Sequence, residues 1–262
     1  MSTVLLEARG LGLQIGEVTI LEDVDLEVRT GEVLALVGPN GAGKTSLLSL
    51  LAGDLDPTAG RVLLDGRPVG ALRPTELARR RGALLQENRL SFPFEVVEVV
   101  EMGRAPWRGR PEAEEDEAAV AAAMQATDVV HLARRIFPTL SGGEKSRVSF
   151  SRVLAQDPRL VFLDEPTAAL DIRHQERTLA LARERARAGD AVVVVLHDLS
   201  LAGAYADRMV LLSGGRVLAS GSPREVLEAE RLSTVYEHPV EVLERPDGSL
   251  LVLPLRHPEV LA

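Results

Sequence analysis

Apolar residues follow two rhythms along this chain, and the places where one gives way to the other mark its organisation. Residues 4–8, 19–28 and 32–37 predict strands: the second alternates apolar with polar positions, and the third is a short apolar run between Gly31 and Gly38. Residues 43–52 then read as a helix ended by Gly53. After a turn at Asp56-Pro57 and a strand near residues 61–64, the stretch 87–140 changes character, becoming acidic and Ala-rich from Glu112 to Ala126, which is helical composition. Alternation returns with a helix over 142–155, a strand over 160–163, a helix over 172–188 and a strand over 191–196. Beyond Ala206, two short strands flank Ser213-Gly214-Gly215, a helix starts at Pro223, and Asp247-Gly248 separates two apolar runs as a hairpin turn would.

This order predicts an α/β fold: a mostly parallel sheet between helices, with an N-terminal antiparallel β subdomain and an inserted α-helical subdomain. At 262 residues the chain suits one such unit, 1–262, and is too short for two nucleotide-binding cores. The expected divisions are a core from 1–86 and 141–228, a helical subdomain from 87–140, and a C-terminal extension from 229–262.

Composition narrows the function classes. Hydrophobic residues make up 45% of the chain and aromatics only 3%, so the core must be mainly Leu, Val and Ala. A net charge of -9 works against a nucleic-acid partner, since no uniform basic field is present to displace counterions. The absence of Cys excludes disulfides, thiolate metal sites and Cys nucleophiles, and the five His show no metal-ligand spacing. Residues 1–13 lack the basic and apolar regions of a signal peptide, and no stretch approaches the roughly 18 apolar residues that a membrane span needs. If the protein works at a membrane, another subunit must hold it there.

Gly38-Pro39-Asn40-Gly41-Ala42-Gly43-Lys44-Thr45, followed by Ser46, matches the phosphate-loop pattern and lies where its mechanism demands, after a strand and at the start of a helix. The glycines let backbone N–H groups turn inward around a β-phosphate, and the helix N-terminus adds partial positive charge. Lys44 would reach the β and γ oxygens and the Thr45 hydroxyl would ligate Mg²⁺. The chain has 28 Arg and only 2 Lys, and one of those Lys stands where a compact ammonium fits better than a planar fork.

Leu160-Val161-Phe162-Leu163-Asp164-Glu165 is an apolar strand ending in two carboxylates, at the end where α/β sheets place ligands. Alone this reads as a solvated strand end. Joined to the phosphate loop, Asp164 becomes a Mg²⁺ ligand through water and Glu165 the general base for the attacking water.

Thr139-Leu140-Ser141-Gly142-Gly143-Glu144, just upstream of that strand, resembles the signature motif of ABC ATPases. Gln86 after a strand, Thr167-Ala168-Ala169-Leu170-Asp171 like the D-loop, and His197 like the switch histidine follow in the family's order. The resemblance implies a P-loop NTPase core and a head-to-tail homodimer in which Ser141, Gly142 and Gly143 of one chain meet the γ-phosphate of ATP held by the other. It also implies that Gln86 ligates Mg²⁺ and water, and that His197 contacts the γ-phosphate. Read alone, Gln86 is a polar loop residue and His197 a buried, hydrogen-bonded side chain. Two features depart from the family pattern: Glu144 stands where Gln is commoner, and Leu13-Gln14-Ile15-Gly16 lacks the aromatic that stacks on adenine, leaving Ile15 as an apolar contact.

Phe92-Pro93-Phe94-Glu95, Gly103-Arg104-Ala105-Pro106 and Asp171-Ile172-Arg173-His174-Gln175 look like ATPases of bacterial haem, ferric siderophore and cobalamin importers, and the tail around Leu251-Val252-Leu253-Pro254 is most like the haem group. That group implies two copies docked beneath two copies of a polytopic permease, at the cytoplasmic face of the cell membrane, with cargo brought by a substrate-binding protein. A soluble ABC ATPase without a permease, resembling the iron–sulfur cluster assembly type, is the alternative from another class. Trp107, among Arg residues, reads either as an anchor of a docking surface or as part of a solvated loop.

Overall fold

The computed structural model describes residues 3–85 and 92–256. Two long strands, β1 (Val4–Ile15) and β2 (Val18–Arg29), pair antiparallel and continue into β4 (Ala59–Leu64) and β5 (Arg67–Pro68), in the sheet order β2-β1-β4-β5. The first strand runs well past the expected residue 8. Register shifts between Ala8 and Leu11 and again between Leu11 and Leu13 reset which face is buried, so strict alternation fails while pairing continues.

The second sheet has the order β10-β9-β3-β8-β7-β6. Its members β3 (Val33–Val37), β6 (Arg81–Leu84), β7 (Leu160–Asp164), β8 (Ala191–Val195) and β9 (Arg208–Ser213) are parallel, and β10 (Arg216–Gly221) closes one edge antiparallel. Every residue of β3, β7 and β8 is buried, as a strand covered on both faces requires.

One face of these strands, including Leu34, Leu36, Phe162, Val193 and Val195, packs with the first sheet around α1 (Lys44–Ala52), whose Leu47, Leu48, Leu50 and Leu51 fill the space between the sheets. The opposite face, including Val33, Ala35, Val37, Leu163 and Val194, is covered by α6 (Ile172–Arg187), α7 (Leu199–Tyr205), α8 (Pro223–Val226), α9 (Ala229–Val235) and the hairpin β11 (Val240–Glu244) and β12 (Leu250–Pro254). These layers are the α/β architecture expected from the alternation.

The short helix α2 (Pro74–Arg80) leads into β6, and a third core joins α3 (Val96–Glu101), α4 (Asp116–Ala126) and one side of α5 (Gly142–Gln156) through Val96, Val99, Val100, Met124, Phe137 and Val148. Trp107 belongs to the seam between this part and the core helix and is half-buried there, which corrects the reading of it as part of a solvated loop. Its indole N–H donates to the Gln156 carbonyl at 2.8 Å, and the Arg104 guanidinium lies 5.5 Å from the ring centre. Arg104, itself buried, also bonds Asp116 and the Ala155 and Glu112 carbonyls.

At the same seam Gly103 meets α5 so closely that a Cβ would stand 2.2 Å from the Arg152 carbonyl oxygen. Gly103→Ala is expected to destabilise the chain by about 1–3 kcal/mol through overpacking, lowering the melting temperature by roughly 3–10 °C. A thermal melt checks it. Among the described residues no helix is long and apolar enough to cross a membrane.

Candidate nucleotide site

The ends of three adjacent strands converge on one cavity. From β3 the chain turns at Gly38, where φ is +146° and a Cβ would stand 2.2 Å from the Leu212 carbonyl oxygen, so only glycine fits. The loop then enters α1 through Gly43 in the left-handed conformation. Lys44, only 6% exposed, donates from Nζ to the Gly38 carbonyl at 2.8 Å and the Pro39 carbonyl at 2.9 Å. Burial pushes its pKa below the usual lysine value, and the charges of Glu165 and Asp164 oppose that shift.

From β7 comes Asp164, 2% exposed, with Oδ1 accepting from the Thr45 hydroxyl at 3.3 Å and Oδ2 left without a partner. Burial first, and the neighbouring Glu165 charge, raise its pKa, while the Thr45 hydrogen bond and the charges of Lys44 and His197 pull it down. A desolvated carboxylate oxygen beside a hydroxyl is a fitting pair of hard donors for a divalent cation such as Mg²⁺, which takes few ligands from the protein and the rest from phosphates and water. Gln86, the other expected ligand, lies outside the described residues.

Glu165 follows with φ +48°, an uncommon backbone conformation for a non-glycine residue, and its N–H is tied to the Val195 carbonyl at 3.2 Å. Its Oε1 meets Nε2 of His197, which sits just beyond β8. The His197 side chain is 47% exposed, so it is not the buried histidine that a strand end alone suggests. Lys44, Thr45, Ser46, Glu165 and His197, with Asn40, Gly41 and Gly43, line one cavity of about 330 Å³. Ile20 of β2 also lines it, a residue the sequence reading does not name, whereas Ile15 is exposed at the β1–β2 turn and is not among the lining residues. A larger cavity of about 1000 Å³ lies among α3, α4 and their connections and holds none of this chemistry.

Ser141, Gly142 and Gly143 do not line the phosphate cavity of their own chain. Ser141 caps α5: its hydroxyl accepts from the Glu144 N–H at 3.3 Å while the Glu144 carboxylate accepts from the Ser141 N–H at 2.8 Å. These bonds, with Arg135 nearby, hold the Glu144 carboxyl below the usual range. Gly143 rests against the Ala169 carbonyl, so the two loops are in close contact, and Asp171 caps α6 by accepting from the His174 N–H at 2.9 Å.

A sequence profile of the ABC transporter family matches residues 21–168. The chain is 59% identical over 256 residues to the hemin import ATP-binding protein HmuV of Streptomyces coelicolor, covering 97% of this chain and 91% of that protein. It is 57% identical to the protein of the same name from Thermobifida fusca, covering 97% and 90%. Among solved structures, an inward-facing metal-chelate type ABC transporter superposes with a TM-score of 0.80 at 25% identity, over 99% of this chain and 100% of that one. A dimeric bacterial ABC transporter cassette superposes with a TM-score of 0.75 at 27% identity, over 84% and 99%. The chain belongs to the ABC transporter family and is an ATP-binding, ATP-hydrolysing subunit of it.

Proposed function

We propose that this ATPase powers haem import, working as a head-to-tail pair beneath two copies of a membrane permease at the cytoplasmic face, with haem delivered by a substrate-binding protein. The observation that carries the cargo is similarity to hemin import ATP-binding proteins over nearly the whole chain. The wider metal-chelate class of a structural neighbour favours ferric siderophore or cobalamin as the second reading.

In this reading the loop from Gly38 to Ser46 wraps the phosphates, with Lys44 on the β and γ oxygens. Thr45, Asp164 and Gln86 hold Mg²⁺, which when bound neutralises phosphate charge. Glu165 accepts a proton from the attacking water, and His197, held beside it, donates to the γ-phosphate. Ser141 and Gly143, which do not line their own chain's cavity, contact the γ-phosphate bound by a second copy, where the α5 N-terminus favours negative charge.

The test is uptake of labelled haem, a ferric siderophore and cobalamin by cells lacking the gene, complemented with wild type or with Lys44→Ala. Selective loss of haem uptake, restored by wild type alone, is expected. Loss of only one of the other two cargoes moves the assignment to that cargo, and unchanged uptake of all three overturns the importer reading in favour of a soluble assembly ATPase.

A further inference from the structure

We propose that the C-terminal hairpin is a positioning element for hydrolysis: it holds the helix that directly follows His197, through a hydrogen bond from the Val252 N–H to the Ser200 hydroxyl. This rests on the reading of His197 as a γ-phosphate contact. Two elements set where His197 stands. On one side is β8, tied through the Leu196 N–H to the Leu36 carbonyl at 3.2 Å. On the other is α7, entered at Asp198, whose carboxylate accepts from the N–H groups of Ser200 at 2.8 Å and Leu201 at 2.9 Å.

The strand belongs to the fully buried sheet, but α7 has only seven residues, too few to hold its own geometry in water, so its orientation comes from what it packs against. That surface is made by β3, α6 and α8 on the core side and by the C-terminal extension on the other. Val252 donates its backbone N–H to the Ser200 Oγ at 3.0 Å, and Leu199 and Leu201 share one apolar layer with Val242, Leu250 and Val252. At Gly203 a Cβ would stand 2.9 Å from Leu227 and 3.8 Å from Leu250, so helix and extension are in close contact.

The hairpin needs α7 in turn, since an isolated two-stranded ribbon is marginal in water. The same extension reaches the start of the phosphate loop. The Tyr236 phenol, at the end of α9, lies beside the Gly38 backbone amide, and burial pushes its pKa up to about 12 although that amide favours the charged form. The extension thus touches both the helix after His197 and the first residue of the phosphate loop, but at separate residues, so loss of the Val252–Ser200 bond would displace the His197 ring and act on the hydrolytic step more than on ATP binding.

The experiment is steady-state ATPase assay of the full-length chain carrying Ser200→Ala, Ser200→Thr or His197→Ala, with ATP-analogue binding and thermal melting on the same samples. Ser200→Ala is expected to lower kcat about tenfold while KM and analogue affinity stay within about twofold, and Ser200→Thr, which keeps the hydroxyl, to restore most of the rate. If Ser200→Ala is insoluble, Val252→Pro deletes the same bond from the hairpin side and carries the same expectation. A wild-type kcat in the alanine variant, a loss the threonine variant does not restore, or a parallel loss of analogue affinity overturns the inference. His197→Ala separates the two ideas: wild-type kcat there sinks the reading of His197, whereas loss there with full rate in Ser200→Ala sinks the positioning role alone.

Discussion

Glu165→Gln is expected to bind ATP with wild-type affinity and to hydrolyse it about a thousand-fold more slowly. The substitution keeps the size of a side chain that is only 14% exposed, and the backbone at +48° is held by the bond to Val195, so the change is one of charge and basicity, not of shape. Positioned general bases contribute roughly 10²–10⁴ in rate. His197 keeps a hydrogen-bonding partner in the amide, so the cavity should not reorganise. With binding intact and hydrolysis blocked, ATP should accumulate in the paired state, and size-exclusion chromatography with ATP should show twice the mass of a 28.2 kDa chain. Hydrolysis at the wild-type rate would remove Glu165 from the mechanism.

The central sheet was legible because β3, β7 and β8 are apolar on both faces, a pattern that needs no knowledge of partners. The phosphate loop was legible for a different reason: wrapping a phosphate imposes fixed local spacing, so the chemistry is written in consecutive residues. What depends on contacts distant in sequence was not. The second half of β1 is hidden by bulges, α7 is too short to show a period, and Ile20 enters the cavity only because β2 folds beside α1. The Trp107 bond to Gln156 spans 49 residues, which no local pattern records.

Glu144 departs from the family pattern and also carries a local signal that the family comparison does not use. Compared with the family it is a departure, yet Ser141 three residues before an acidic side chain is the sequence mark of a capping box, and the structure contains that box. The charge that looks anomalous in a nucleotide contact is ordinary in a helix cap.

Lys44→Met separates the cost of the site from its use. In the wild type the ammonium is buried against two carbonyls, and burial lowers its pKa. A base whose folded pKa lies below its unfolded value of about 10.4 burdens the folded state while it is charged, so stability should rise as pH climbs through the interval between the two values. Methionine has similar length and no charge. It should remove that pH-dependent rise and leave the neutral-pH melting temperature within about 3 °C of wild type, the lost desolvation penalty offsetting two lost hydrogen bonds. ATP affinity should nevertheless fall by about 10²–10⁴, since charge-assisted bonds are worth about 1.5–3 kcal/mol each and Lys44 makes two kinds, to the β and to the γ oxygens. Thermal melts from neutral pH upward, paired with analogue titrations, measure both. A variant that keeps wild-type affinity would show that Lys44 does not hold phosphate. One that unfolds at neutral pH would show that its bonds to Gly38 and Pro39 outweigh the burial of its charge.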